Sequence, residues 1–180
     1  ILSVSNLIGK KGLDTIIRAI SSLAKKYPNT VYLIVGEGVE REKLENLVKE
    51  LGLEKFVRFE GKKVGSELAN YYNICDMFVL MSRDVEEGIE SFGIVYIEAA
   101  YFGKPVVAGA SGGTRDAIID GKTGFLIDPN DEKALEEKML LLLKNKELRE
   151  NLGKAGKERV LKEFLWKHNA KKLLELCNGI

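Results

Sequence analysis

Two carboxylates flank a short glycine-bearing segment in the middle of the chain. Glu90 and Glu98 are eight positions apart, and Phe92-Gly93 lies between them. The apolar run Met77–Leu80 before this segment predicts a strand, and Ile94–Phe102 after it predicts a helix. This order of strand, loop and helix places Glu90 at the end of the loop and Glu98 a little over one turn inside the helix.

This arrangement suits an anionic ligand that also carries hydroxyl groups. A helix N-terminus presents unpaired N–H groups and a partial positive charge to a phosphate, and Gly93 lets a ligand approach the backbone closely. We expect Ile94, Ile97 and Tyr101 to face apolar surroundings. Glu98 would be costly to bury unpaired, and a pair of ribose hydroxyls would satisfy it. A single glutamate on a helix is nevertheless more often solvated on the outer face.

The longer phrase from Glu90 to Gly103-Lys104-Pro105-Val106-Val107 resembles a family signature. It is similar to the E-x7-E motif of the retaining GT-B glycosyltransferases (group 1, family 4), typified by sucrose, glycogen and lipopolysaccharide mannosyl- and glucosyltransferases. In that family the motif lies in the C-terminal half, which binds the nucleotide-sugar donor. The resemblance covers nearly the whole chain. It implies that Glu98 holds ribose hydroxyls, and that Glu90, as a catalytic residue, orients the sugar ring.

The first loop of the chain, Asn6–Gly12, extends the resemblance. Its sequence NLIGKKG is similar to the family's G-R-L-x-x-x-K-G, in which the Arg and the Lys contact the donor diphosphate. Lys11 matches that lysine, while Asn6 stands where the family usually has Arg, so it retains hydrogen bonding but not charge. Lys10 is a candidate to compensate. Without the rest of the pattern, these lysines would be read as solvated loop residues.

The remaining donor contacts are also implied by the resemblance. The N–H groups of Phe92, Gly93 and Ile94 would neutralise the departing diphosphate together with Lys11. Gly112 and Gly113 resemble the family's Gly-Gly loop, whose backbone faces the donor sugar; paired glycines also form anion-binding nests. Lys62 lies in the loop that holds the nucleobase in this family, largely through the main chain.

The central loop leaves several alternatives open. Arg83, Asp84, Glu86 and Glu87 are either contacts for sugar hydroxyls and acceptor or a solvated loop, and we favour the solvated loop. Glu87-Gly88 also mimics the start of the motif in a shifted register, but the spacing to Glu98 selects Glu90. Further along, Arg115 either reaches a phosphate or pairs with Asp116 or Asp120.

The rest of the chain predicts an α/β fold, a doubly wound parallel sheet that is Rossmann-like and forms the C-terminal half of a GT-B fold. The predicted strands are Ile1–Ser5, Thr30–Val35, Phe56–Glu60, Ile74–Met81, Pro105–Ala108 and Gly124–Ile127. The predicted helices are Leu13–Tyr27, a polar helix ending at Leu51, Ser66–Tyr72 with Ser66 as its cap, Ile94–Phe102, a helix capped by Asn130 or Asp131, and Glu147–Cys177 with a break near Phe164–Trp166. Every candidate loop then follows the carboxyl end of a strand, which favours one shared cleft.

We expect residues 1–180 to form a single donor-binding domain excised from a longer two-domain enzyme. Residues 147–180 would pack back toward the missing N-terminal domain, with His168 there as a surface or interdomain residue. The partners implied are a nucleotide-sugar donor and an acceptor sugar, lipid-linked sugar or other hydroxyl compound bound by the missing domain. By itself, we expect this domain to be inactive.

Composition limits the other classes. The net charge is +1, with 31% charged residues, which disfavours a nucleic-acid partner. We expect no transmembrane segment and a cytoplasmic protein, in full length peripheral to a membrane. Cys75 and Cys177 lack metal-site spacing, so we expect both to be reduced and to lie in the core. We expect no metal and no cofactor, because the nucleoside diphosphate sugar is itself the substrate.

Other functions fit the sequence less well. Gly36-x-Gly38 follows a strand, but Arg41 replaces the third glycine of a dinucleotide-binding motif, so a dehydrogenase is disfavoured. Gly121-Lys122-Thr123 resembles a P-loop fragment, but Asp116 stands where the first glycine is required. A GT-B epimerase or phosphorylase and a flavodoxin-like receiver are minor alternatives. The main alternative is a non-catalytic sugar-nucleotide or sugar-phosphate binding module.

Overall fold

One parallel sheet organises the molecule. A computed structural model describes residues 1–85, 88, 90–166, 170, 174, 175 and 177. Within them the sheet has six strands in the order β3-β2-β1-β4-β5-β6, and all neighbouring pairs are parallel. The strands are β1 (Leu2–Val4), β2 (Tyr32–Val35), β3 (Val57–Gly61), β4 (Phe78–Leu80), β5 (Val106–Gly109) and β6 (Gly124–Ile127).

Helices connect successive strands, as parallel pairing requires. They are α1 (Leu13–Lys26), α2 (Arg41–Glu50), α3 (Gly65–Ile74), α4 (Ile94–Tyr101), α5 (Thr114–Ala117), α6 (Glu132–Lys144) and α7 (Lys146–Arg159). A short 3₁₀ turn, Gly9–Lys11, precedes α1, and a π-helical turn, Val160–Phe164, follows α7. This alternation confirms the predicted α/β class.

The core lies between the sheet and its helices. All three residues of β4 and all four of β5 are buried, because central parallel strands are covered on both faces. Helix α1 buries its apolar stripe, including Ile16, Ile20 and Leu23, so the predicted helical spacing of that segment is confirmed. None of the helices in the described part of the chain combines the length and apolarity that a membrane crossing needs.

The strand order creates a crevice at the carboxyl ends of the two central strands, β1 and β4. β1 is hydrogen-bonded to β2 on one side and to β4 on the other. The connections therefore run in opposite directions from β1 and from β4, so the loops that follow these two strands diverge. This is the topological switch point at which open α/β sheets bind ligands.

Some predicted bounds were wrong. The segment predicted as the strand Ile74–Met81 contains only three strand residues, because Ile74 closes α3 and is 69% exposed. Helix α3 begins at Gly65, and its N-cap, Val64, makes no side-chain cap hydrogen bond, so Ser66 is not the cap.

The predicted inner face of α4 was correct at Ile97, which is partly buried and packs against the core, but wrong at two other positions. Ile94 and Tyr101 are 69% and 45% exposed, whereas Tyr96, Ala99 and Ala100 are buried. The helix is apolar nearly all round, so periodicity could not identify the inner face. The neighbouring strands and α7 decide it.

The C-terminal part agrees with the sequence where it is described. The Asp131 carboxylate caps α6 by accepting from the Ala134 amide at 2.8 Å. The helical path that begins with α7 breaks at Leu165, whose backbone is extended. Cys75 is buried, but Cys177 is exposed, so the prediction of a core position for Cys177 was wrong. His168 lies outside the described residues.

Candidate functional site

A cleft of about 660 Å³ opens above the carboxyl ends of the central strands. It spans the switch point and extends over β2 and β3. Its lining comes from the loops after β1, β2, β3 and β4 and from the first turn of α4. The predicted site residues that line it are Asn6, Lys11, Lys62, Glu90, Phe92, Gly93 and Ile94. Asn6 and Ile94, at opposite ends of this list in the sequence, therefore share one cavity.

Lys11 and Glu90 form an ion pair in this cleft. Lys11 Nζ donates to Glu90 Oε2 at 2.5 Å, and the two side chains are only 15% and 10% exposed. Ser82 Oγ donates to the same carboxylate oxygen at 2.8 Å. A buried carboxylate is stable only with such partners. The sequence predicted both residues for the site but did not predict their contact.

The surroundings of Glu90 favour its charged form. Burial alone would raise the pKa of Glu90, but the hydrogen bonds from Lys11 and Ser82 and the positive charges of Lys11 and Lys10 outweigh it. The net result is a pKa below the ordinary value for glutamate. At neutral pH Glu90 is thus a carboxylate that accepts hydrogen bonds.

The loop after β4 is fastened to the loop after β1. The Arg83 amide donates to the Lys10 carbonyl at 2.9 Å. The Arg83 guanidinium donates to the Gly9 carbonyl at 3.1 Å and to Asp14 at 2.8 Å. Arg83 is therefore not a solvated loop residue: its side chain is 22% exposed, and it links the loop that carries Lys11 to the loop that carries Glu90.

The Gly112-Gly113 pair supports Glu90 from behind. The Gly113 amide donates to the Glu90 carbonyl at 2.9 Å. Gly112 has φ +47°, and a Cβ there would lie 2.2 Å from the same carbonyl oxygen. Only glycine permits both this backbone conformation and this contact. Gly112 and Gly113, predicted to face the donor sugar, are not among the described residues that line the cleft. The structure places them against the Glu90 backbone instead.

The acidic loop makes one further contact with this region. Asp84 is exposed and accepts a 2.5 Å hydrogen bond from the buried hydroxyl of Ser111, in the loop after β5. Glu86 and Glu87, the other acidic candidates, lie outside the described residues. Arg115 is exposed on α5.

The N-terminus of α4 faces the cleft. Gly93 has φ +77°, and a Cβ there would lie 2.3 Å from the Tyr96 ring. Phe92 packs edge-to-face on Phe164 with their ring centroids 5.6 Å apart. Ile94 is exposed beside them. Gly93 and Ile94 thus line the same cavity as Lys11, at a helix start, where N–H groups lack intrahelical partners.

Glu98 lies one turn behind Ile94 on the same helix, where residues i and i+4 share a face. It is half-buried, and its Oε2 accepts a 2.7 Å hydrogen bond from the Tyr72 hydroxyl. It is therefore not simply a solvated residue on the outer face. Lys62 and Asn6 are exposed at the rim.

Three hydroxyl groups near the carboxylates were missed by the sequence reasoning. Tyr72 donates to Glu98, and Ser82 to Glu90; the Tyr96 hydroxyl lies 3.2 Å from both Ser82 Oγ and the Leu80 carbonyl. A single hydroxyl, on a tyrosine ring or on a serine, gives no periodic signal, so the sequence alone could not assign these contacts.

Comparisons with known proteins identify the family. The model for the family "Glycosyl transferases group 1" matches residues 1–159. This chain belongs to the group 1 glycosyltransferases.

Individual members of the group 1 glycosyltransferases resemble the chain along nearly its whole length. A GDP-mannose-dependent alpha-(1-6)-phosphatidylinositol monomannoside mannosyltransferase from Mycolicibacterium smegmatis is 34% identical over 99% of this chain and 47% of its own length. The chain thus spans about half the length of that relative.

Two crystal structures show the same fold. The C-terminal domain of the group 1 protein LpcC from Francisella tularensis is 27% identical with a TM-score of 0.80, and the match covers 92% of this chain and 86% of that one. A TarM mutant from S. aureus, in complex with fondaparinux, alpha-GlcNAc-glycerol and UDP, is 25% identical with a TM-score of 0.86, covering 97% of this chain and 34% of that one. These matches confirm the predicted C-terminal half of a GT-B fold.

Proposed function

We propose that this chain is the donor-binding domain of a glycosyltransferase that moves a hexose from a nucleoside diphosphate sugar to an acceptor hydroxyl with retention of configuration. The observation that carries the proposal is the Lys11–Glu90 pair at 2.5 Å in the cleft at the switch point. A cation beside a helix N-terminus suits a diphosphate, and a charged carboxylate beside it suits sugar hydroxyls.

The cleft residues have separate roles in this reaction. Lys11 has three N–H donors, so it can hold Glu90 and a phosphate oxygen at once. Together with the first N–H groups of α4, it stabilises the negative charge that grows on the departing diphosphate. Glu90 accepts from the donor sugar and orients it. We assign no general base here.

Relatives support the donor class. The mycobacterial relative is named for GDP-mannose, and the staphylococcal structure contains UDP. We therefore propose a nucleoside diphosphate hexose and leave the base to experiment. The acceptor would bind the other half of a two-domain enzyme, and the isolated domain would be inactive. We further propose that the full-length protein is cytoplasmic and peripheral to a membrane.

Calorimetric titration tests the proposal. UDP-glucose, GDP-mannose and ADP-glucose are titrated into the protein at its natural length, into Glu98→Ala and into Glu60→Ala. Glu60 is a matched control because its carboxylate also accepts from a tyrosine hydroxyl, that of Tyr71 at 2.9 Å, but it lies on β3 and not on α4, the helix whose first turn lines the cleft. We expect saturable binding of one donor, weakened by Glu98→Ala and unchanged by Glu60→Ala. Absence of binding by all three sugars would contradict the proposal.

A further inference from the structure

The buried Tyr72 side chain makes a polar contact with α4, the helix whose first turn lines the cleft. Tyr72 is 1% exposed, and its hydroxyl donates to Glu98 Oε2 at 2.7 Å. Tyr72 lies on α3, whereas Glu98 lies on α4, so the bond joins two neighbouring helices. A hydroxyl that is buried together with its ring requires a partner. Here that partner is one of the two carboxylates predicted for the site.

The ring that carries this hydroxyl is fixed in place. Tyr72 stacks on Phe102 with centroids 5.4 Å apart and an interplanar angle of 8°, and it contacts Phe78 at 6.0 Å. Burial and the neighbouring charge of Glu98 both raise the pKa of Tyr72 far above its ordinary value. The hydroxyl therefore remains protonated and acts only as a donor toward the carboxylate.

The position of Glu98 makes this bond relevant to the ligand. Ile94, one turn before Glu98, lines the cleft. A diphosphate held at the α4 N-terminus brings its ribose alongside the first turn of the same helix. The bond from Tyr72 uses one acceptor position of the carboxylate, which has about four. The rest of the carboxylate stays able to accept from ribose hydroxyls.

We infer that Tyr72 is a positioning residue that holds the Glu98 carboxylate ready for the ribose diol of the donor, and so sets the preference for ribonucleotides. The inference rests on the proposed function. A carboxylate held in one rotamer loses less conformational freedom when the ligand binds. Removal of the Tyr72 hydroxyl thus weakens the ribose contact while the aromatic packing is retained.

The test compares ribonucleoside diphosphates with their 2′,3′-dideoxy counterparts. UDP, GDP and ADP and the three dideoxy forms are titrated into the protein at its natural length. The measured quantity is the ratio of the two dissociation constants for the base that binds. The variants are Tyr72→Phe, Glu98→Ala and the matched control Tyr71→Phe, whose lost hydroxyl donates to Glu60 instead. Thermal unfolding confirms that each variant is folded.

We expect the wild-type protein to prefer the ribonucleotide by about tenfold or more, the value of a hydrogen bond to a charged group. Tyr72→Phe should reduce this preference by about threefold or more, with little change in affinity for the dideoxy form. Glu98→Ala should abolish it, and Tyr71→Phe should leave it unchanged. A merely structural role would weaken both nucleotides equally.

Three results would overturn the inference. If Tyr72→Phe has the same ratio of dissociation constants as the wild type, Tyr72 has no positioning role. If Glu98→Ala has the wild-type ratio, Glu98 does not contact the ribose, although the nucleotide site itself is retained. If no nucleoside diphosphate binds the wild-type protein, the proposed function fails and the inference fails with it.

Discussion

The two ends of the cleft are built differently. At the switch point, Lys11 and Glu90 are nearly buried and Ser82 supports them. Above β2 and β3, the ion pairs lie at the surface: Glu37 and Arg41 have side chains 49% and 35% exposed. Lys62, at the same end, is exposed. One cavity thus joins a preorganised end to an end that water can reach.

This difference indicates at which end of the cleft side chains hold a ligand in a fixed geometry. Exposed ion pairs contribute about 0–1 kcal/mol because water screens them. A nearly buried pair with a second hydrogen bond, from Ser82, is held in one geometry, as a group that stabilises developing charge must be. We therefore expect chemistry at the switch point and weaker side-chain selection above β2 and β3.

The largest predicted effect tests directly whether the two ends of the cleft differ in their contribution to catalysis. For the proposed transfer reaction, Lys11→Met should lower kcat of the protein at its natural length by about 10²-fold, because it removes a proposed donor to the departing diphosphate. Lys62→Met is the matched control at the exposed end, and it should change kcat by no more than about twofold, as expected for a surface substitution. Steady-state kinetics with the donor found by titration measures both. Equal losses in the two variants would contradict the comparison.

A smaller effect concerns two glycines, Gly112 next to the Glu90 backbone and Gly65 after the loop that carries Lys62. Gly112 and Gly65 both have positive φ, +47° and +55°, but only a Cβ at Gly112 meets the Glu90 carbonyl. Each Gly→Ala change costs about 1–2 kcal/mol for the left-handed backbone. Gly112→Ala should cost a further 1–3 kcal/mol, roughly the value for overpacking.

Urea unfolding of the two glycine variants gives both free energies. The difference between them isolates the close contact, since the backbone cost is shared. Equal destabilisation would show that the loop after β5 does not hold Glu90 rigidly.

The smallest predicted effect is a pH dependence. The pKa of folded Glu90 is lowered from its ordinary value of 4.5, so its stabilisation is present above pH 4.5 and is lost as the pH falls through the folded pKa. In Lys11→Met the charge and hydrogen bond of Lys11 are gone, and burial pushes the pKa upward. The carboxylate then destabilises the folded state at neutral pH and is relieved on acidification.

The difference in unfolding free energy between wild type and Lys11→Met should therefore be largest at pH 7 and shrink toward pH 4. Denaturant titrations at the two pH values measure it. A difference independent of pH would show that the ion pair does not set the Glu90 pKa.

Much of this arrangement could be predicted before the structure. The strand order along the chain, the ends of most helices and the Asp131 cap follow from local patterns, because each depends on residues close in sequence. The inner face of α4 could not be predicted in this way, since that helix is apolar nearly all round. The Tyr72–Glu98 contact could not be predicted either, because it joins two helices whose packing no local pattern describes.

The sequence by itself determined the α/β class, the family signature from Glu90 to Glu98 and the matching Lys11. These depend on residue type and spacing alone. The tertiary structure decided that Lys11 contacts Glu90, that Gly113 supports the Glu90 backbone, and that a buried tyrosine holds Glu98. The physical reason is that hydrogen bonds between distant segments depend on how strands and helices pack, and burial then gives those few contacts their strength.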